Sequence, residues 1–263
     1  MADSARLLAA FDDQLRFASE SRPPAGVVTE WDGPLMRVVG QHRGFVCARR
    51  DPGLSGADLD ALIARQRDFF ADRGEAVEWK TYGHDRPADL PRRLAAAGFA
   101  PEDRETVVVA PTAAIAAPAA PPAGVRLREV SADADLDRIA AMQSAVWGED
   151  MAWLAADLRA RRTANPDGLR IVAAEAGPEL VSAAWLVLTP GVDFAGLWGG
   201  STAAPWRGRG VYRALVAHRA ALAAAAGVPY LQVDASDDSR PILQRLGFTA
   251  LTTTTPYVWS PAG

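Results

Sequence analysis

The sequence predicts an α/β (α+β) protein of two lobes, each a mixed twisted sheet flanked by helices. Three observations carry this prediction. Strand-like and helix-like hydrophobic patterns alternate after residue 124. An uncharged alanine–proline segment divides the chain, and one strand–helix–strand pattern occurs once in each half. A chain of 263 residues is long enough for two domains of ordinary size.

The dividing segment is residues 111–123, PTAAIAAPAAPPA. Proline removes backbone donors and favours extended backbone, so the composition is typical of a semi-rigid linker. The predicted domains are therefore residues 1–110 and residues 124–263, with the linker at 111–123 between them.

The first domain is the less regular of the two. Its patterns predict helices at 4–18, at 57–71 and over DLPRRLAAA, and strands at 27–31, 35–39, 44–49, 76–82 and over ETVVVA. Ser55 is a candidate cap for the helix at 57–71, and Asp58 would complete a capping box.

The second domain alternates more clearly. We expect strands at 125–130, 169–176, 180–188, 194–202 and 230–236, with one or two more over FTALTTTTPYVW, whose β-branched threonines favour strand. Helices are predicted at 135–146, at 151–162, over VYRALVAHRAALAAAA and over RPILQRL. Gly227 and Gly247 would end the last two helices, because glycine adopts the left-handed backbone that follows a helix.

The two halves share one pattern. VEWKTYGHD, a short helix, Gly98-Phe99 and a strand in the first half parallel YLQVDASDD, a short helix, Gly247-Phe248 and a strand in the second. Two halves built on one plan explain this parallel, and a coincidence of common strand–helix patterns remains the alternative.

Composition excludes several classes of function. The net charge of −4 argues against a general nucleic-acid binder. Cys47 is the only cysteine and lies in an apolar run, which favours a buried small side chain over a catalytic thiol. The three histidines are scattered, so we expect no metal site. The first residues lack the apolar core of a signal peptide, and no apolar run approaches the ~20 residues of a membrane span, so the expected location is the cytoplasm.

The stretch APWRGRGVYRAL at residues 203–214 lies between a predicted strand and a long helix. The first backbone N–H groups of a helix have no intrahelical partner, and the helix dipole adds positive potential there. The glycines allow close approach of a ligand, and Arg207 and Arg209 add phosphate donors. The combination predicts a pyrophosphate site. Neither a Walker loop nor a dinucleotide fingerprint fits these residues.

Residues 125–259 resemble the GNAT superfamily of acyl-CoA-dependent N-acyltransferases. The resemblance rests on the loop Arg207-Gly208-Arg209-Gly210-Val211-Tyr212, on the order of elements, and on the tail Pro-Ile-Leu-Gln-Arg-Leu-Gly-Phe at residues 241–248. It implies acetyl-CoA or another acyl-CoA as cofactor, bound by the loop and by the preceding strand end. The implied cofactor-binding residues are Gly200, Ser201, Thr202, Arg207, Gly208, Arg209, Gly210, Val211, Tyr212, Ser236 and Ser239.

The resemblance also implies that two central parallel strands splay apart beside the loop. A main-chain N–H near Gly200–Thr202 would polarise the thioester carbonyl, and a simple β-bulge is the alternative interpretation of those glycines. Many family members carry a tyrosine acid four residues before the glycine of the Gly-Phe turn, where this chain has Leu243. Tyr257 is the favoured substitute, with Tyr230 and Tyr212 as the other candidates. Asp234 is the candidate base, and a solvated residue or a helix cap is the alternative interpretation of it.

The acceptor side carries weaker signals. Glu149 and Asp150 are candidates for attracting a cationic amine, although a solvated helix start explains them as well. Tryptophans of the second half are candidates for an apolar acceptor wall, although core packing explains most of them. The expected acceptor is a small-molecule or peptide amine, with no nucleic acid and no membrane as partner and a homodimer left open.

The first half shows no equivalent cofactor loop. The run at residues 50–55 fits the loop pattern superficially, but Pro52 lacks an amide N–H and Asp51 would face the phosphates. The sequence therefore predicts a degenerate GNAT-like first domain and an N-acetyltransferase second domain. The alternative is a non-catalytic CoA-binding or protein-interaction module with the same fold.

Overall fold

The computed structural model describes residues 2–18, 22–117 and 119–261. Eight helices are assigned there: α1 Ala2–Gln14, α2 Gly56–Asp72, α3 Leu90–Ala96, α4 Thr112–Ile115, α5 Asp133–Trp147, α6 Trp153–Ala164, α7 Val211–Ala225 and α8 Arg240–Leu246. The strands of the same described residues are β1 Val28–Asp32, β2 Leu35–Val39, β3 Gly44–Ala48, β4 Val77–Tyr82, β5 Ala100–Pro101, β6 Glu105–Pro111, β7 Val125–Glu129, β8 Leu169–Ala176, β9 Glu179–Val187, β10 Phe194–Thr202, β11 Tyr230–Ala235 and β12 Thr249–Trp259.

All the strands join one sheet. Its order is β1-β2-β3-β4-β12-β6-β11-β10-β9-β8-β7, and β5 pairs with β12 beside this path. Two neighbouring pairs in this order are parallel, β3 with β4 and β10 with β11, while the other pairs are antiparallel. The fold is the mixed α/β arrangement that the sequence predicts.

The two halves exchange their last strands. β6 belongs to the first half of the chain but pairs with β11 of the second, with Val107 opposite Asp234. β12 ends the second half but pairs with β4 of the first, with Thr254 opposite Tyr82. The exchanged strands also pair with each other. Each half therefore completes its part of the sheet with a strand from the other half.

Helices cover both faces of the sheet, because side chains alternate between the faces along each strand. On one face, α7 and α8 pack on β10 and β11, and α2 and α3 pack on β3 and β4. On the other, α5 and α6 pack on β8 and β9, and α1 packs on the centre. We call these the α7 face and the α5 face.

Strand and helix predictions agree with the structure to within a few residues at most ends. Ser55 does precede α2, but its side chain makes no capping hydrogen bond, so the predicted capping box is not formed. Within the predicted linker, residues 112–115 form α4, whose Ile115 is buried against α7 and Phe248. The division into domains at these boundaries stays a prediction, and residue 118 of the linker lies outside the described residues.

Within the described ranges, no helix is both long and apolar enough to cross a membrane. The same residues bring no three histidine, cysteine, aspartate or glutamate side chains together as metal ligands.

Candidate active site

The site begins where β10 and β11 separate. The two strands pair in parallel only from Phe194 opposite Tyr230 to Gly196 opposite Gln232. β10 then continues to Thr202 and β11 to Ala235 without further pairing between them. A wedge therefore opens between two parallel strands, and main-chain groups on both sides of it are released from the sheet, as the resemblance implies.

A β-bulge shapes the β10 side of the wedge. The register of β10 against β9 shifts between Trp198 and Ser201. Gly199 has φ +62°, and a Cβ there would lie 2.0 Å from the ring of Trp185. A Cβ at Gly200 would lie 2.8 Å from the ring of Tyr212. A side chain at either glycine would therefore clash with a neighbouring ring, so the close packing of the bulge requires glycine at both positions.

Side chains from α5 hold the bulge in place. Gln143 donates to the Gly199 carbonyl at 2.7 Å and accepts from the Ser201 hydroxyl at 2.7 Å. The Trp147 indole N–H donates to Ser201 Oγ at 2.9 Å. The Ser182 hydroxyl donates to the Ser201 carbonyl at 2.5 Å, so β9 fixes the bulge as well.

Arg219 supports the bulge from the α7 face. It is 1% exposed and donates to the carbonyls of Trp185 and Trp198 at 3.1 and 3.3 Å. Burial lowers the pKa of this guanidinium to about 10, still well above neutral pH. A positive charge therefore lies under the wedge, satisfied by carbonyl oxygens.

The loop after β10 has the backbone of an anion site. Gly208 and Gly210 have φ of +70° and +90°, and the space at both Cβ positions is open. Ala214 N–H donates to the Gly210 carbonyl, so the N–H groups of residues 211–213 precede the first bond of α7. Arg207 donates to the Thr202 carbonyl at 3.0 Å, which fixes the loop to the strand end. The unpaired N–H groups and the positive end of the α7 dipole are together suited to binding a phosphate.

Asp234 lies at the wedge on β11, but its carboxylate is engaged. Lys80 of β4 contacts one oxygen at 2.5 Å, and Gln232 donates to the other at 2.6 Å. The Lys80 and Asp234 side chains are 11% and 6% exposed. Burial alone would lower the pKa of Lys80, yet the Asp234 charge outweighs it and holds that pKa well above its usual value. Asp234 is thus the partner of a buried cation rather than a free base.

Glu105 is the functional candidate that the sequence analysis missed. It begins β6, two residues before Val107, and so lies on the α5 face, within electrostatic reach of Asp234 and Lys80. Burial, and then the Asp234 charge, raise its pKa to about 7. The residue stands in a strand of the first half, and nothing in the local sequence shows that this strand joins the second.

The tyrosines lie in three different places. Tyr257 is opposite Trp79 and packs with the core of α2 and α3 on the α7 face, so the structure does not bring it together with Asp234. Tyr230 stacks on Phe194 where β10 and β11 begin. Tyr212 lies under the bulge, and burial raises its pKa. This placement does not support a catalytic Tyr257 and leaves Tyr212 as the tyrosine at the wedge.

The other predicted residues fill the turn after β11 and the acceptor side. Ser236 Oγ donates to Ser239 Oγ at 3.2 Å and accepts the Ser239 N–H at 3.3 Å, which orders the start of α8. Leu243 is fully buried in the core. Asp150 accepts the Ala152 N–H at 3.0 Å, the ordinary role of an acid at a helix start. Glu149 is exposed.

Three tryptophans of the second half are exposed. Trp147, Trp198 and Trp153 are 57%, 41% and 37% exposed. Trp198 projects beside Lys80, whose ammonium is 5.8 Å from the ring centre. Trp153 stacks on His42 of the first half at 4.2 Å. Trp147 and Trp198 are thus exposed beside the bulge, and the Trp153–His42 stack joins side chains of the two halves.

The equivalent position in the first half is filled. Arg16, in the turn after α1, is 3% exposed and donates to the carbonyl of Ala48, the last residue of β3. It also pairs with Asp85 at 2.8 Å and lies over the Tyr82 ring at the end of β4. This side chain occupies the carboxyl ends of the first half's parallel strands.

The first-half loop is closed as well. Asp51 accepts the Gly53 N–H at 2.8 Å, so a carboxylate stands where a phosphate would bind. The prediction that the run at residues 50–55 is a chance match agrees with this geometry.

Comparison with known proteins finds a family match for the region that contains the wedge and its loop. Residues 135–248 match the family model described as acetyltransferase (GNAT) family. Residues 135–248 form a GNAT-family domain. The matched region contains the wedge, the bulge, the glycine loop and α8. A search of proteins with curated functions gives no match.

Solved structures resemble the GNAT domain together with the first half. A GCN5-related N-acetyltransferase from Kribbella flavida superposes with TM-score 0.70 at 16% identity, over 99% of this chain and 96% of that one. A tandem GNAT protein from the clavulanic acid biosynthesis pathway gives TM-score 0.62 at 15% identity, over 100% and 97%. A functionally unknown conserved protein from Staphylococcus epidermidis gives 0.68 at 11% identity, over 96% and 98%. At these identities the similarity shows a shared fold.

Proposed function

We propose that the protein transfers an acyl group from acetyl-CoA, or another acyl-CoA, to an amine in the wedge of the GNAT domain. The observation that carries the proposal is the separation of β10 and β11 directly beside an arginine–glycine loop at the start of α7. A helix start suits the CoA pyrophosphate, and released strand edges suit the amides of its pantetheine arm.

In this proposal the cofactor contacts are those that the sequence predicts. The amides of residues 208–212 receive the phosphates, with Arg207 and Arg209 as charged donors. The strand end at Gly200, Ser201 and Thr202 would contact the pantetheine arm, with the Ser201 and Thr202 carbonyls already bound by Ser182 and Arg207. Ser236 and Ser239 order the opposite rim of the wedge.

Two contributions of the protein act on the thioester. A neutral amine nitrogen attacks the thioester carbonyl, the C–N bond forms, and the C–S bond breaks. A bulge amide near Gly200 would stabilise the carbonyl oxygen as it becomes negative, with the Arg219 charge beneath it. Tyr212 is held protonated at neutral pH by its raised pKa, and it would supply the proton to the departing thiolate.

The acceptor would enter from the α5 face. Trp147 and Trp198 are exposed there. They would contact the apolar part of a small-molecule or peptide amine, while the carboxylates at the wedge favour a cationic amine group.

A non-catalytic CoA-binding module is the second candidate. Two observations favour it: Leu243 occupies the position of the usual tyrosine acid, and Asp234 is engaged by Lys80.

A matched pair of variants tests the cofactor site. Gly208 and Gly53 both have φ +70° with open space at Cβ, so Gly208→Glu and Gly53→Glu impose the same strain and the same charge. We expect wild type and Gly53→Glu to bind one acetyl-CoA per chain in isothermal titration. Gly208→Glu should lose affinity at least tenfold, because the new carboxylate faces the phosphates.

Turnover separates the two candidate functions. Thiol release from acetyl-CoA in the presence of an amine panel would support the enzyme, and CoA binding without release would support the binding module. Equal affinity in the two glutamate variants, or two CoA molecules per chain, would contradict the placement of the site.

A further inference from the structure

The exchanged strand β6 gives the second half's site a carboxylate from the first half. We propose that Glu105 is the general base that takes the proton from the acceptor amine, so that the active site is completed by both halves. This inference rests on the proposed acyl transfer.

The register places Glu105 at the open end of the wedge. Thr106 lies opposite Ala235, the last residue of β11, and Glu105 is the next residue along β6. Its side chain alternates with that of Thr106 and shares a face with Val107 and Asp234. This is the α5 face, where Trp198 is exposed and where the amine would enter.

Other groups at the wedge are already committed. Asp234 binds Lys80 and Gln232, one through each carboxylate oxygen. The Lys80 ammonium is held charged by Asp234, so it has no free electron pair to accept a proton. Among the described residues, no side chain or backbone group forms a hydrogen bond or ion pair with the Glu105 carboxylate. That carboxylate is free to accept a proton from a ligand.

The charges facing Glu105 come from three elements. Asp234 of β11, Glu78 of β4 and Glu102 of the preceding loop raise its pKa in addition to burial, and Lys80 of β4 opposes them. Arg43 pairs with Glu78 at 3.0 Å and with Glu102 at 2.6 Å. The resulting pKa of about 7 is suited to a base at neutral pH, since a base works best with a pKa near the working pH.

The proton balance is complete with these groups. An acceptor ammonium gives one proton to Glu105, which later releases it to water. The neutral amine forms the C–N bond as the C–S bond breaks. The second nitrogen proton ends on sulfur through Tyr212, so the products are the amide, CoA thiol and one solvent proton.

Glu105→Gln tests the inference, and Glu102→Gln, three residues earlier and exposed, is the matched control. We expect Glu105→Gln to lower kcat at pH 7 by about 10²–10⁴-fold. Its acetyl-CoA affinity should be unchanged, and the acidic limb of the kcat profile near pH 7 should disappear. Glu102→Gln should keep kcat and retain the limb, moved to lower pH because the variant lacks one of the charges that raise the Glu105 pKa.

The acceptor's own pKa gives a readout that a structural role would not produce. An aromatic amine is neutral at pH 7 and needs little help from a base, so Glu105→Gln should reduce its turnover far less than that of an alkylamine. For the alkylamine, activity should recover as the pH rises towards the amine pKa.

The outcomes separate the two proposals. A wild type that binds acetyl-CoA but acetylates no amine would overturn the proposed function, and this inference with it. A wild-type enzyme matched by Glu105→Gln in turnover and pH profile would overturn this inference alone. If the variant does not fold, the wild-type profile decides, because kcat without a limb near pH 7 would contradict a base with this pKa.

Discussion

Lys80→Met breaks the ion pair that links the two halves beside the wedge, on the α5 face. The substitution keeps most of the side-chain length and removes the ammonium, which leaves Asp234 buried with Gln232 as its remaining donor. At 2.5 Å between Nζ and Oδ2, and with an effective dielectric of about 20, the attraction is roughly 6–7 kcal/mol. Desolvation offsets part of it, and breaking such pairs typically costs about 3–5 kcal/mol.

Urea unfolding measures this cost. We expect the Lys80→Met midpoint to fall with an unchanged m-value, because the cost lies in the folded state. Asp234→Asn leaves the Lys80 ammonium without its carboxylate partner, and it should lower the free energy of unfolding by a similar amount. The double variant has no uncompensated charge and should regain most of the lost stability, with a coupling energy of about 2 kcal/mol or more.

Two results would contradict a coupled, buried ion pair. A loss below about 1 kcal/mol for Lys80→Met would place the pair among solvent-exposed salt bridges, whose worth is small. A double variant whose loss equals the sum of the single losses would show that the two side chains are not coupled.

Two further predictions concern the bulge and the raised pKa. Gly199→Ala adds a Cβ 2.0 Å from the Trp185 ring, whereas Gly177, the control position, has a similar φ of +58° with open space around its Cβ. In thermal unfolding, Gly199→Ala should therefore lose about 1–3 kcal/mol more unfolding free energy than Gly177→Ala. Equal losses in the two variants would argue against the packed bulge. The Glu105 pKa is about 7 in the folded chain against a reference of 4.5, so the folded state binds more protons between these values. The free energy of unfolding of wild type, measured relative to that of Glu105→Gln, should therefore be highest below pH 4.5. It should fall by up to about 3 kcal/mol as the pH rises through 7. A difference between the two proteins that does not depend on pH would contradict the raised pKa.

Local sequence was sufficient to predict the elements and the backbone conformation of the glycine loop. Strand and helix patterns are properties of neighbouring residues, and the glycines at 208 and 210 take the positive φ that the loop requires. The separation of β10 and β11 followed from the resemblance of that loop and its flanking elements. The match of residues 135–248 to the family model agrees with the same region.

Pairing between distant strands is not a local property, and the catalytic predictions depended on it. Asp234 has the position of a base at a strand end, but Lys80 lies 154 residues away in sequence and reaches it through the exchanged sheet. Tyr257 was placed near the wedge by family analogy. Its strand instead joins β4, so its ring enters the core of the first half.

The exchange gives the first half a part in the wedge although its own cleft is filled. Arg16 closes the carboxyl ends of β3 and β4, and Asp51 closes the loop that follows. Yet β6 supplies the hydrogen-bonding partner of β11, and β4 supplies Lys80. Removing the first half would leave an open sheet edge at β11 and a buried Asp234 carboxylate without its cation. The glycine loop belongs to the second half alone, but the wedge beside it is built by both.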